Sequence, residues 1–356
     1  MQAGILKVFV LLVMTLVLPG CATVGYYSHI MNGHHALMEG EEAIEDILTE
    51  NKYDEPIRER LKRAQAIRRF ASEELALPDN DSYKNFVKLD RKYPVWNVIA
   101  AEKYAINAKQ WCFMFVGCLS YRGYFNEQAA NLMAKQLSLQ GYDVIVSPAA
   151  AYSTLGWFDD PLLSSMLYKE DAHLAGIIFH ELAHQKVYID NDSSFNEAFA
   201  TAVELEGIRR WLAAYGDARG VNNYRQYKQR QRDFNALLKT TREELKKLYK
   251  TEKNETVLDV NKKRIIVEMK QGYQRLKKQW GGHAAYDKWF ARDINNADLA
   301  LVATYHELVP AFEALLKQQD YNLVQFYEVV RDLGKQNKAS RSAVLERLGV
   351  QKLARY

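Results

Sequence analysis

The string Ile177-Ile178-Phe179-His180-Glu181-Leu182-Ala183-His184, followed shortly by Phe195-Asn196-Glu197-Ala198-Phe199-Ala200, constrains this chain more than any other feature. The first segment reads as part of a helix over Lys169 to Tyr188, with Asp171 near its start. The second opens a helix over Phe195 to Tyr215. Histidines four residues apart lie on one helical face, one turn above the other, so both imidazoles can reach a single ion. Glu181 falls on a neighbouring flank, where a carboxylate can serve as general base toward water. His173 is excluded as a co-ligand, because two helical turns place it about 10 Å from His180. The apolar residues Leu174, Ile177 and Ile178 predict burial of this helix against a sheet.

A catalytic zinc ion takes three protein ligands and keeps one position open. The polar stretch Ile189-Asp190-Asn191-Asp192-Ser193-Ser194 reverses the chain, so the next helix can present a side chain back to the metal. Glu197, in the first turn of that helix, is the choice for third ligand. Glu204 is the rival, seven residues on and on the same face, too far along for both to bind one ion. The residue that does not bind is either a support for a ligand histidine or a solvated charge.

These residues carry a resemblance. His180-Glu181-x-x-His184 with Asn196-Glu197-Ala198-Phe199-Ala200 resembles the gluzincin metallopeptidases, whose third ligand lies in an NExxA-type helix; here the gap before the glutamate is shorter. Nearly the whole chain is similar to a bacterial family of zinc aminopeptidases inferred from their metal motif, exported and often lipobox-bearing. That similarity rests on Leu77-Pro78-Asp79-Asn80-Asp81-Ser82-Tyr83, Trp96-Asn97, Trp111-Cys112, Gly117-Cys118, Tyr121-Arg122-Gly123-Tyr124-Phe125 and Ala151 to Phe158. His180 to Gln185, Phe195 to Thr201 and Asn295-Asn296-Ala297 complete it. It implies a zinc aminopeptidase acting on peptides.

Two further groups of residues bear on such chemistry. A strand ahead of the metal helix is where these enzymes pair with an extended peptide. Ala150 to Gly156, with Tyr152, Ser153, Thr154 and Gly156, is therefore a candidate substrate edge, or else a buried turn. Hydrolysis also needs a donor for the developing oxyanion. Tyr305 is the first choice, with His306, Tyr188 and Tyr152 behind it, although such tyrosines more often belong to a core.

The N-terminus is of another kind. Lys7 is the first charge, and Val8 to Leu18 is apolar apart from Thr15, too short to span a bilayer but suited to an export signal. It ends in Leu18-Pro19-Gly20-Cys21, which resembles the bacterial lipobox and implies lipidation of Cys21. Acyl chains would tether the protein to a membrane, and Ala22-Thr23 in place of Asp points by analogy to the outer membrane, facing the periplasm. An ordinary cleaved signal would leave the same apolar run. In that oxidising compartment Cys112 and Cys118 form a candidate disulfide across a short loop, or remain two buried thiols.

Elsewhere, Tyr26 to Leu77 is helical in pattern, Tyr93 to Ala100, Cys112 to Tyr121 and Val144 to Val146 read as strands, and Glu127 to Gln140 as a helix. Tyr227 to Trp280 is heavily charged with a sparse apolar stripe and a break at Thr251 to Glu255, a helical hairpin read as a solvated arm. Asn295 to Leu316 and Tyr321 to Leu333 read as further helices. With 48 Lys+Arg against 44 Asp+Glu, the net charge of +4 is too mild to argue for nucleic acid.

The expected fold is α+β: a zincin-like domain with a small, mostly antiparallel sheet on the metal helix and a largely helical remainder. The expected divisions are an export signal over 1–20, an N-terminal helical region over 21–90, the catalytic core over 91–220, the hairpin over 221–282 and a C-terminal helical region over 283–356. Two rivals to an aminopeptidase remain: an envelope endopeptidase of the same chemistry, and a non-enzymatic lipoprotein with structural zinc that binds a partner.

Overall fold

The computed structural model describes residues 23–113, 117–154, 156–168 and 170–353. Helix α1 runs over 23–38, and the short strand β1 (Glu41–Ala43) then leads into α2 (Ile44–Thr49) and α3 (Glu55–Glu73). The expected continuous helical region from Tyr26 to Leu77 is thus broken by a strand, which pairs antiparallel with β2 (Asn85–Val87). After β3 (Val95–Glu102) the chain forms β4 (Trp111–Phe113), β5 (Gly117–Leu119) and β6 (Arg122–Tyr124), then α4 (Glu127–Leu139) and β7 (Tyr142–Ala149). Cys112 to Tyr121 is therefore a hairpin rather than one strand. Gly117 supplies the positive φ of 73° at which a side chain would be strained.

Strand β3 is the centre of the largest sheet, with antiparallel neighbours β6 and β7. Its pleat explains its two-sided burial. Trp96, Val98 and Ala100 point to one face and pack with Ala130 and Leu137 of α4. Ile99 and Ala101 point to the other and pack with Ala297. A second small sheet joins β1 and β2 to β8 (Leu162–Leu163), the last pair parallel.

Beyond β8 the chain is helical. Short α5 (Ser164–Leu167) precedes the two site helices α6 (Asp171–Lys186) and α7 (Ser193–Tyr215). They are followed by α8 (Ala218–Thr251), α9 (Glu255–Gln279), α10 (Asp287–Phe290), α11 (Asn296–His306), α12 (Val309–Gln318), α13 (Leu323–Gly334) and α14 (Lys338–Leu353). The expected helix from Asn295 to Leu316 is divided in two, because Pro310 cannot donate to a continuing helix and sits in the first turn of α12 instead.

Helix α6 packs chiefly on α7 and α3, and the main sheet instead carries α4 and α11. This corrects the expectation of a sheet on the metal helix. Leu174, Ala175, Ile178, Phe179, Leu182 and Ala183 are all buried, so the apolar surface wraps most of the way round α6 and needs helices on several sides. The close approach of α6 and α7 depends on Gly176 and Gly207. A Cβ on Gly207 would stand 2.5 Å from the buried ring of Phe179, and one on Gly176 would stand 2.9 Å from Ile208.

The hairpin α8–α9 has its own core, in which Phe234, Leu238 and Leu245 face Ile265, Met269 and Tyr273. It is no free arm. Ile106, Phe290 and Leu299 close the same cluster, and Arg242 donates to the carbonyls of Ile106 and Leu299.

Candidate metal centre

His180 and His184 project from one face of α6, and Glu197 meets them from the first turn of α7. Nε2 of His180 lies 3.2 Å from Nε2 of His184 and 3.1 Å from Oε2 of Glu197. The remaining edge, His184 Nε2 to Glu197 Oε2, is 3.6 Å. These three side chains are largely buried and their ligand atoms could hold a metal ion. Glu204 is elsewhere: its Oε2 faces Nδ1 of His180 at 3.2 Å, on the far side of the ring.

Burial works against a charge on Glu197, yet hydrogen bonds with His180 and His184 outweigh it and hold the carboxyl well below its ordinary range. Burial likewise opposes a proton on His180, but Glu197 and Glu204 together raise its pKa well above the usual imidazole value. A site that attracts a proton this strongly between two carboxylates is also one that attracts a cation. Nδ1 of His184 is buried without a hydrogen-bond partner.

The connection between the helices, residues 187–192, is fixed from several sides. Asn196 bridges it, with its Oδ1 accepting from Ile189 N and its Nδ2 donating to Ile189 O, both at 2.8 Å. Asn191 adopts a positive φ of 64°, and its Oδ1 accepts from the backbone N of Cys118 at 2.8 Å. Cys112 and Cys118 are bridged, so a covalently closed hairpin rests on this connection. From the other side Arg341 of α14 donates to the buried Asp192 at 2.8 Å.

A cavity of about 1070 Å³ opens beside the cluster, and His180, Glu181, Glu204, Thr201 and His306 line it. Ala149 to Ala151, at the end of β7, form part of its wall; Tyr152, Ser153, Thr154 and Gly156 do not. Those four are engaged elsewhere. Ser153 Oγ and Thr154 N donate to Asp160, Tyr152 hydroxyl pairs with His34, and Gly156 lies against Gln185. Gln185 in turn joins Asn80 and Ser82. Burial pushes the carboxyl of Asp160 up to about 6.

Tyr305 falls within α11, and its side chain lies outside the described part of the structure, as does Cys21. His306 is on the cavity wall, where burial pushes its pKa down to about 4 and keeps it neutral. Tyr188 is half-buried, and burial, with Glu197 next, pushes its hydroxyl up to about 12. Tyr121 stands in the same neighbourhood: burial first, then the charge of Glu197, raises its pKa. Sequence reasoning did not single out Tyr121 as a donor, although it opens the Tyr121 to Phe125 stretch that carries the resemblance. It also missed the part of α8 that lines the cavity, with Tyr224, Tyr227 and Arg230.

No curated protein and no solved structure matches the chain. The family described as "Putative aminopeptidase" matches residues 25–345. With the match spanning all but the two ends, and a peptidase role as what it supports, the chain belongs to that aminopeptidase family.

Proposed function

We propose that the chain is a zinc-dependent aminopeptidase of the zincin-like kind, attached to the bacterial envelope through Cys21. The observation that carries this reading is the triangle formed by His180 Nε2, His184 Nε2 and Glu197 Oε2, with edges of 3.2, 3.1 and 3.6 Å. Three atoms each about 2.0–2.1 Å from one zinc ion at tetrahedral angles stand about 3.3–3.4 Å apart. The donor set of two imidazoles and one carboxylate suits the same ion. Bound there, zinc would acidify water and polarise a peptide carbonyl.

The chain's own groups supply the rest. Glu181, on the cavity wall beside His180, accepts a proton from the attacking water and returns it to the leaving amine. Glu204 accepts the Nδ1 proton of His180 and so keeps Nε2 free to ligate. Tyr121 and Tyr188, both held protonated by burial close to Glu197, and the neutral His306 on the cavity wall are the candidate donors to a developing oxyanion.

The test is metal analysis of the purified protein beside cleavage assays on short peptides with free and acetylated N-termini. Stoichiometric zinc and cleavage that requires the free amine are expected. Glu181→Gln should keep the zinc and lose hydrolysis by about two to four orders of magnitude. Equal cleavage of acetylated peptides would turn the reading to an endopeptidase, and zinc without any hydrolysis to a structural site.

A further inference from the structure

The charged hairpin contributes three unsatisfied polar atoms to the cavity system. Tyr224 hydroxyl, Arg230 Nε and Asn235 Oδ1 are all buried without a hydrogen-bond partner. They lie on one helix, α8, within twelve residues. Tyr224 and Arg230 line the cavity that contains His180 and Glu181. Arg230 and Asn235 line a side chamber of about 220 Å³, which shares Tyr227, Arg230, Gln231, His283 and His306 with the main cavity. Buried polar groups in folded proteins are nearly always satisfied, so these exceptions, on residues that line two adjoining spaces, point to a polar occupant beside them.

The charge pattern says which kind. Two arginines line the main cavity among the described residues. Arg63 is engaged with Asp171 at 2.9 Å. Arg230 has no carboxylate partner among the described residues. A planar guanidinium on a cavity wall, with no internal counter-ion, is matched best by a carboxylate that accepts two parallel hydrogen bonds. Acidic groups line the same space, Glu181 and Glu204 among them. A peptide free at both ends carries an amine and a carboxylate, and a cavity lined both by carboxylates and by the unpaired guanidinium of Arg230 can meet both charges.

We propose that Arg230 takes the C-terminal carboxylate of a short peptide, and that the enzyme therefore acts on small free peptides and not on the termini of long chains. This rests on the peptidase reading for the reaction but not for the binding. On it, the hairpin is the surface that measures the substrate's far end.

The test uses the full protein carrying Glu181→Gln, so that binding is read without turnover. Titration calorimetry compares a tripeptide with a free carboxylate and the same tripeptide as its C-terminal amide. The free acid should bind about tenfold or more tightly, the range of one lost charge-assisted hydrogen-bond pair. Adding Arg230→Met should erase the difference by bringing the free acid down to the affinity of the amide. Arg230→Lys, which retains charge without the fork, should keep part of it and guards against a folding failure. Equal affinity for acid and amide, no binding of either, or a preference that survives Arg230→Met overturns the proposal. A preference that behaves as expected, in a wild-type protein that hydrolyses neither peptide, would overturn the peptidase reading and leave the carboxylate site standing.

Discussion

Glu204 stands behind His180, its Oε2 3.2 Å from Nδ1, while Nε2 of the same ring faces Glu197 at 3.1 Å. One imidazole thus spans two carboxylates from the same face of α7, and each fixes a different nitrogen. The spacing of seven residues, which made Glu204 a rival ligand on sequence grounds, puts it two turns along the helix and out of reach of His184.

Glu204→Ala should weaken zinc binding by about 10- to 100-fold, because the ring loses the acceptor that sets its tautomer and orientation. Competition against a chromogenic chelator measures this directly. Unchanged affinity would remove Glu204 from the metal site.

Gly207→Ala should destabilise the protein by about 1–3 kcal/mol in denaturant unfolding. Helix propensity alone would favour alanine by about 0.5–1 kcal/mol. The new methyl would meet the ring of Phe179 at 2.5 Å and Leu75 at 2.8 Å, both wholly buried, so neither can swing aside. Packing outweighs propensity here.

Replacing Cys112 and Cys118 together by serine should cost about 2 kcal/mol, the loop entropy of so short a closure. Hydrogen exchange should accelerate at the amide of Cys118, which donates to Asn191, and along residues 187–192. Protection unchanged in that connection would mean that the hairpin rests on it without holding it.

Asp160 should make stability fall as pH rises through the acid range. Its carboxyl is raised from 3.8 to about 6 by burial, so the folded protein keeps a proton that the unfolded chain releases. The contribution is greatest below about pH 4, declines toward pH 6 and is flat above it, with a total change on the order of 2–3 kcal/mol. Unfolding curves of Asp160→Asn should lack this slope. An identical slope in the variant would assign it to other groups.

Helices α6 and α7 could be read from the sequence because their signal is local: histidines one turn apart, a polar reversal, and a glutamate opening the next helix. The α4 and α9 boundaries were legible for a similar reason, since Gly141 and Asn254 sit where the helices stop and start. The division of Cys112 to Tyr121 into two strands was not, because the positive φ at Gly117 and the pairing of Cys112 with Cys118 are not announced by neighbouring residues. The role of α8 was hidden for a deeper reason. Tyr224, Tyr227, Arg230 and Gln231 are what a solvated helix face also carries, and only the tertiary fold turns that face toward a cavity. Likewise Tyr152 to Gly156 follow a strand that reaches the cavity, but the carboxylate of Asp160 draws Ser153 and Thr154 away from it.

The bonds around Gln185 join stretches far apart in the chain. Asn80 donates to it, it donates to Ser82, and Gly156 lies against its stem, all one residue beyond His184. Positions 80, 82, 156 and 185 therefore form one unit for inheritance. A leucine at 185 would take from the partly buried amide of Asn80 its acceptor, and a bulkier residue at 156 would press on the helix that positions both imidazoles. Across related chains these four positions should change together or not at all.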